Sequence, residues 1–322
     1  SQVLIAGPAV VKRALGIERS KEELGGPDIH LKSGVVDNLA ENEEDALNQI
    51  KTFLSYLPDN YLQLPPKTMT KDKKNRIENE LLEIIPKDRR KTYDMRKLLK
   101  LILDLGSFFE YGKYYGSSLI TGLARLNGDP VGVIANDCKI YAGAMTADAS
   151  MKMRKFIEFV NTFNLPVISF VDEPGFMIGP DSEKAGTIRH GTSAISALMQ
   201  SKVPWASIIV RKVFGVAGAA HFAPDSYVLS WPSAETGTLP VEGGVAIAFK
   251  KEIESAENPE EKRKDLEKML SKRSSPFPRS ESFSVHELID PKDSRMKLIN
   301  WLSLVIKTRV ANNDIFRTSM LP

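Results

Sequence analysis

Two rhythms of apolar and polar positions run along the chain. Residues 167–171 and 206–210 are short, mostly apolar runs rich in β-branched side chains, the pattern of strands covered on both faces of a parallel sheet. Residues 117–126 and 131–136 are two more such runs, joined by Asn127, Gly128 and Asp129. Asn-Gly between apolar runs signals a hairpin. Residues 226–230 read as a further strand ending at Trp231 and Pro232, and residues 3–6 as a strand at the start. Elsewhere the period is that of a helix. Residues 45–57 place Ala46, Leu47, Ile50, Phe53, Leu54 and Leu57 on one side, and 150–164 do the same with Met153, Phe156, Ile157, Val160 and Phe163. Helices are also predicted over 95–105, 191–201, 243–252, 259–272 and 293–309, with shorter turns over 8–15 and 22–27. Strands alternating with helices argue a layered α/β domain. The hairpin followed by a helix makes the repeat ββα in places.

Between the helical and the sheet-forming parts the composition shifts. Residues 61–91 carry Pro65, Pro66 and Pro86 and nine Lys/Arg against five Asp/Glu. They read as a solvated linker or as a basic rim facing ligand phosphates. Three regions are expected: 1–60, a linker over 61–92, and 93–322. Because residue 1 is followed at once by a strand-like run, the sequence reads as beginning within a fold, as a fragment or processed product would.

The most informative turn follows the run 206–210. Gly215, Val216, Ala217, Gly218, Ala219 and Ala220 are six small residues where a helix should begin. Small side chains allow close approach of backbone and ligand. The first amides of a helix lack internal acceptors and lie at the positive end of its dipole. Strand, small turn and helix therefore make a candidate oxyanion hole, with tight helix-on-sheet packing as the alternative.

Composition narrows the field. The chain has 322 residues, 42% hydrophobic and 26% charged, enough for one large or two ordinary domains. A net charge of +3 is far from the bias of a nucleic-acid binder. Cys138 is the single cysteine, so no intrachain disulfide forms, and no apolar run reaches the ~18 residues of a membrane span. None of the four histidines, His30, His190, His221 and His286, pairs with another ligand at metal spacing, so no metal site is expected. There is no G-x-S-x-G elbow, no P-loop and no G-x-G-x-x-G pattern. Glycine-rich turns after buried strands remain, and they supply backbone donors of the kind that stabilise an enolate or oxyanion.

Several runs then resemble one family: Leu165-Pro166 through Asp172-Glu173-Pro174-Gly175-Phe176, Ile188-Arg189-His190-Gly191, Arg211-Lys212 through Gly215-Val216-Ala217, Trp231-Pro232 through Glu235, Glu242-Gly243, and Val285 through Pro291. In order and spacing they are similar to the carboxyltransferase (β) subunit of biotin-dependent acyl-CoA carboxylases of the propionyl-CoA carboxylase kind. The resemblance implies a crotonase-like ββα superhelix. Residues 1–60 would be the tail of an N-terminal, acyl-CoA-binding carboxyltransferase domain, and 93–322 the complete C-terminal domain that binds carboxybiotin. It implies catalytic donors at Gly215, Val216 and Ala217. A substrate surface is implied at Phe176, Arg189, His190, Gly191, Gly218 and Ala219, and a cofactor surface at Gly215, Ala217, Glu242 and Gly243. The reaction implied moves a carboxyl group from carboxybiotin, held on a partner carrier domain, to the α carbon of a short-chain coenzyme A thioester, propionyl-CoA first. Two alternatives share the pattern: a biotin-linked acyl-CoA decarboxylase subunit, and a non-catalytic paralogue within a holoenzyme. A biotin carboxylase or biotin carrier subunit is the implied partner and a homo-oligomer, a hexamer, the implied assembly. The implied location is intracellular, cytoplasmic if bacterial and the mitochondrial matrix if eukaryotic. The sequence departs from the family where Val216 replaces a glycine, where Gly218 and Ala219 replace an aromatic and its neighbour, at Leu239-Pro240-Val241, and at Glu173, where a small or apolar residue is usual.

Overall fold

The computed structural model describes residues 1–307 apart from the side chain of Glu242. Its core is one eight-stranded sheet: β1 (Phe109–Tyr111), β2 (Leu119–Leu126), β3 (Asp129–Asn136), β4 (Val167–Glu173), β5 (Trp205–Phe214), β6 (Tyr227–Ser230), β7 (Glu235–Gly237) and β8 (Glu287–Leu288). The order is β1-β2-β3-β4-β5-β6-β8, with β7 pairing the far end of β5. The first two pairings are antiparallel and the rest parallel. The predicted hairpin is β2–β3. Asn127 (φ 54°) and Gly128 (φ 82°) both adopt the left-handed conformation that a two-residue turn between twisted strands requires. The Asp104 carboxylate accepts both turn amides, at 2.9 and 2.8 Å.

Alternation along the strands builds two apolar layers. Ile120, Ala124, Val133, Ile168, Phe170, Ile208 and Val210 face the helices Met95–Ile102 and Ser294–Lys307. Leu119, Leu123, Ile134, Val167 and Trp205 face the helices Ala147–Thr162 and Thr187–Gln200. Strands buried on both faces leave no polar side, which is why they read as apolar runs.

Residues 3–6 form no strand. Val3 donates to the Gly25 carbonyl at 3.0 Å, and the segment lies against a helical turn rather than a strand. Residues 1–60 hold four helices and, among the described residues, no strand. The last of these helices, Glu43–Ser55, sets Phe53 against Phe109, Tyr111 and Phe159, beside the edge strand β1. The stretch 61–92 is largely exposed, as a linker would be, but it is anchored along its length. Thr68 pairs with Gly128, Leu81 is buried, and Arg76 donates to the Leu101 and Leu103 carbonyls at 2.8 and 2.7 Å. Its basic excess is partly met from outside the stretch, where Lys67 pairs with Asp129 and Arg89 with Glu235. The helix expected over 243–252 is two, Val241–Ala248 and Lys250–Glu254, broken at Phe249 (φ −115°, ψ 20°). The helix predicted to end at Arg309 is described to Lys307; residues 308–309 lie outside the described residues. Trp231 is fully buried and donates to Ser294, and Cys138 is buried, both as core.

One buried group makes stability pH-dependent. Lys152 is 4% exposed, and its ammonium donates to the Leu119 carbonyl at 2.6 Å. Burial pushes its pKa down to about 7. In the unfolded chain Lys152 binds a proton up to about pH 10.4, which the folded chain releases above about 7. The folded state therefore carries a penalty that is absent above the unfolded pKa and grows as pH falls towards 7. Relative to wild type, Lys152→Met should gain a few kcal/mol at most near pH 7, with the gain fading towards pH 10. Parallel denaturant titrations at several pH values check this; a difference that does not vary with pH would contradict it.

Candidate functional site

The strand β5 runs to Phe214 and then turns at Gly215 (φ 64°, ψ −164°), a conformation that disfavours any side chain. A short 3₁₀ helix, Val216–His221, follows. The Gly215 N–H donates to the Gly237 carbonyl of β7 at 3.1 Å. Gly215 is therefore not an oxyanion donor as the sequence suggested. It shapes the turn, and its amide is consumed by the ladder. Val216 and Ala217 occupy the first turn of the helix, where N–H groups have no internal acceptor. No side chain caps them. Val216 is not among the residues with positive φ, so the valine causes no backbone strain and keeps its N–H. Its side chain is 68% exposed, whereas Ala217 is fully buried.

Gly215, Gly218 and Ala219 form one wall of a cavity of about 690 Å³. Ile209, Val213, Phe222, Val228 and Val285 supply apolar surface, and Asp225, Arg279 and His286 supply charge or polarity. A Cβ at Gly218 would stand 2.8 Å from the Val213 side chain, so glycine there permits the close packing of helix on strand.

The remaining expected site residues divide into two groups. Phe176 packs against the apolar layer that contains Ala217 and Ala220. Its ring lies directly on the backbone of Gly191, where a Cβ would meet it at 2.2 Å. Phe176 and Gly191 are thus brought together, beside the layer to which Ala217 belongs. Arg189 is exposed, and His190 lines a separate hollow of about 270 Å³ with Arg154, Lys155 and Glu158, between two helices. Both sit inside the helix Thr187–Gln200, which begins four residues earlier than the sequence pattern indicated. Gly243 is exposed in the helix Val241–Ala248, outside the cavity lining. The backbone of Glu242 belongs to the same helix; its side chain lies outside the described residues.

Sequence reasoning missed two buried polar clusters. In one, Arg211 on β5 clamps the Asp172 carboxylate of β4, with Nη2 to Oδ2 at 2.9 Å, while Tyr93 Oη donates to the same oxygen at 3.0 Å. Burial and the neighbouring Asp172 carboxylate push the Tyr93 hydroxyl well above its ordinary value. In the other, Glu173 and His221, both fully buried, meet at 3.5 Å under the 3₁₀ helix. Burial raises the Glu173 carboxyl above the usual carboxylate range. Acidic residues closing an apolar strand were the available signal; the partners lie 39 and 48 positions away. Among the described residues no cluster of three or more His, Cys, Asp or Glu could hold a metal, and no helix is long and apolar enough to cross a membrane.

The profile of the carboxyl transferase domain family matches residues 1–317. The carboxyltransferase subunit of propionyl-CoA carboxylase from Haloferax mediterranei is 36% identical over 98% of this chain and 62% of its own length. The α subunit of methylmalonyl-CoA decarboxylase from Veillonella parvula is 35% identical over 96% of this chain and 60% of its own length. Among solved structures, the hexameric transcarboxylase 12S with methylmalonyl-CoA and methylmalonic acid bound superposes with a TM-score of 0.90 at 31% identity, over 99% of this chain and 62% of that one. The chain spans about three fifths of the length of these relatives.

Proposed function

The chain belongs to the carboxyl transferase domain family, and from that premise we propose that it is the carboxybiotin-binding part of a biotin-dependent acyl-CoA carboxyltransferase. Residues 1–60 are assigned to the end of an acyl-CoA domain, 61–92 to the connection and 93–322 to the carboxybiotin domain. Among the described residues the eight strands all lie between Phe109 and Leu288, which supports this division. The observation that carries the reading is the turn after β5, where no side chain caps the first-turn amides of Val216 and Ala217 and the flanking Gly215, Gly218 and Ala219 line a roomy cavity.

Those groups fit a biotin ureido oxygen. They are two adjacent neutral donors held by a ladder bond at Gly215 and by buried packing at Ala217. Carboxybiotin, delivered as a substrate on a carrier, supplies the carboxyl group. The chain's own task is to stabilise negative charge at the oxygen that gains it, which fixed backbone dipoles do without reorganisation. Ala219 and Gly218, on the cavity wall, are assigned to the acyl side of the same space, and Phe176 and Gly191 to its support. Propionyl-CoA is the first substrate to test. The assembly is assigned as a homo-oligomer joined to a biotin carboxylase and carrier subunit, as the hexameric neighbour suggests.

The assay that tests this uses the full-length subunit, its biotinylated partner and a panel of acyl-CoAs. Label from bicarbonate is expected in the methylmalonyl-CoA formed from propionyl-CoA. A second reading, the decarboxylase direction, is supported by the near-equal identity to the Veillonella subunit. Label transfer from a malonyl-type CoA to biotin, with none into any acyl-CoA, would select it. Absence of both activities would overturn the enzymatic reading.

A further inference from the structure

The Glu173–His221 contact lies under the turn described above, and every polar atom around it is accounted for except one. Ser169 Oγ of β4 and His221 Nδ1 are 2.9 Å apart. The His221 carbonyl accepts from Trp205 Nε1 at 2.9 Å and from Ser207 Oγ at 2.7 Å, both on β5. Glu173 Oε1 accepts from the Gly175 N–H at 3.0 Å, and Oε2 from Asn136 Nδ2 at 2.9 Å. The exception is His221 Nε2, which is buried without a hydrogen-bond partner and faces Glu173 Oε2 at 3.5 Å. A buried imidazole nitrogen left in this state costs free energy. It is tolerated where the surrounding structure fixes both partners.

Ser169, His221 and Glu173 have the connectivity of a nucleophilic triad. All three are fully buried, however, and Ser169 has no surface from which to attack a substrate. Their position suggests a different role. His221 is the last residue of the helix Val216–His221, and Glu173 is the last residue of β4 before the Gly175–Phe176 bend. One contact therefore links the far end of the donor-bearing helix to the loop that carries Phe176. Two donors, the Gly175 and Asn136 amides, bond the Glu173 carboxylate, one on each oxygen, and His221 Nε2 faces Oε2 at 3.5 Å. A carboxylate accepts on both oxygens, whereas a carboxamide must turn an NH₂ towards one of these donors.

We propose that Glu173 and His221 are positioning residues that fix the Val216 and Ala217 amides relative to the Gly175–Phe176 loop. The inference deepens the proposed function, and it rests on the reading of those amides as oxyanion donors. The contact spans β4 and the helix that follows β5, so breaking it loosens the helix end, still tethered through Ser169, Trp205 and Ser207, without removing any group that touches substrate.

The test uses the full-length subunit as wild type, Glu173→Gln and the milder Ser169→Ala. In Glu173→Gln, kcat for carboxyl transfer should fall about tenfold while KM for acyl-CoA stays within about twofold, because donor placement is disturbed and the binding surface is not. Hydrogen–deuterium exchange, followed without substrate, should speed up for residues 218–222. Ser169→Ala should move both readouts in the same direction by a smaller amount. Wild-type exchange in a folded Glu173→Gln protein would overturn the positioning role, whatever the activity. Faster exchange in a protein whose wild type transfers nothing would uphold the positioning role and sink the functional reading instead.

Discussion

Val216→Pro should lower the carboxyl-transfer rate roughly 10²–10³-fold while leaving the fold intact, the cost of removing one oxyanion donor. Proline has no N–H, and the first helical position is the one it tolerates best. Val216 is that position, its side chain is 68% exposed, and the residue before it is glycine, so the ring meets little resistance. Ala217→Pro deletes the neighbouring donor but places a ring where no exposed surface remains, so its effect on rate is confounded with packing. Val216→Ala is the control: it keeps the amide and should stay within about threefold of wild type. Melting temperature and single-turnover transfer from carboxybiotin check the prediction together. A well-folded Val216→Pro enzyme with the wild-type single-turnover rate would place the donors elsewhere and return the small-residue turn to packing.

The sequence made the scaffold legible where local chemistry and burial agree. The β2–β3 hairpin was readable because Asn127 and Gly128 satisfy a left-handed turn, and β4 and β5 because strands covered on both faces lose polar alternation. The crotonase-like carboxyltransferase fold expected from the motifs is that of the superposed transcarboxylase 12S. The strands β1, β7 and β8 were not found, because two or three residues carry no period. Residues 3–6 looked like a strand because they are apolar. Pairing decides strands, and their one recorded backbone partner is Gly25 in a helical turn.

The candidate site was half legible. Glycines and alanines after β5 marked the turn, but which amide stays free depends on β7, whose Gly237 carbonyl takes the Gly215 N–H. Adjacency in the sequence likewise suggested that Arg189, His190 and Gly191 would act together. Helical geometry separates them: Gly191 lies under Phe176, while His190 lines a different hollow. The Arg211 cluster joins strands that are neighbours only in the sheet, and the Glu173 cluster joins β4 to the helix after β5, so no spacing rule could announce them.

The second large effect concerns the Arg211 cluster. Arg211→Leu should destabilise the folded protein by about 3–5 kcal/mol, because it strands a buried carboxylate. Asp172 is fully buried, and Arg211 reaches both its oxygens. Tyr93 and the Lys212 amide also donate to it, but neither supplies charge. The same guanidinium lies over the Tyr93 ring at 4.8 Å and donates to the Lys91 carbonyl at 2.8 Å, so it also ties residues 61–92 to the sheet. The variant should lower Tm by roughly 6–15 °C, and trypsin should cut faster among Lys87, Arg89, Arg90 and Lys91. Combining it with Asp172→Asn, which removes the stranded charge, keeps an acceptor for the Lys212 N–H and turns its NH₂ towards the Tyr93 oxygen, should recover more than half of the loss. Equal melting temperatures for wild type and Arg211→Leu would show that the carboxylate finds another proton or partner at little cost. A double variant no better than Arg211→Leu would show that the loss comes from the packing of the arginine stem and not from charge.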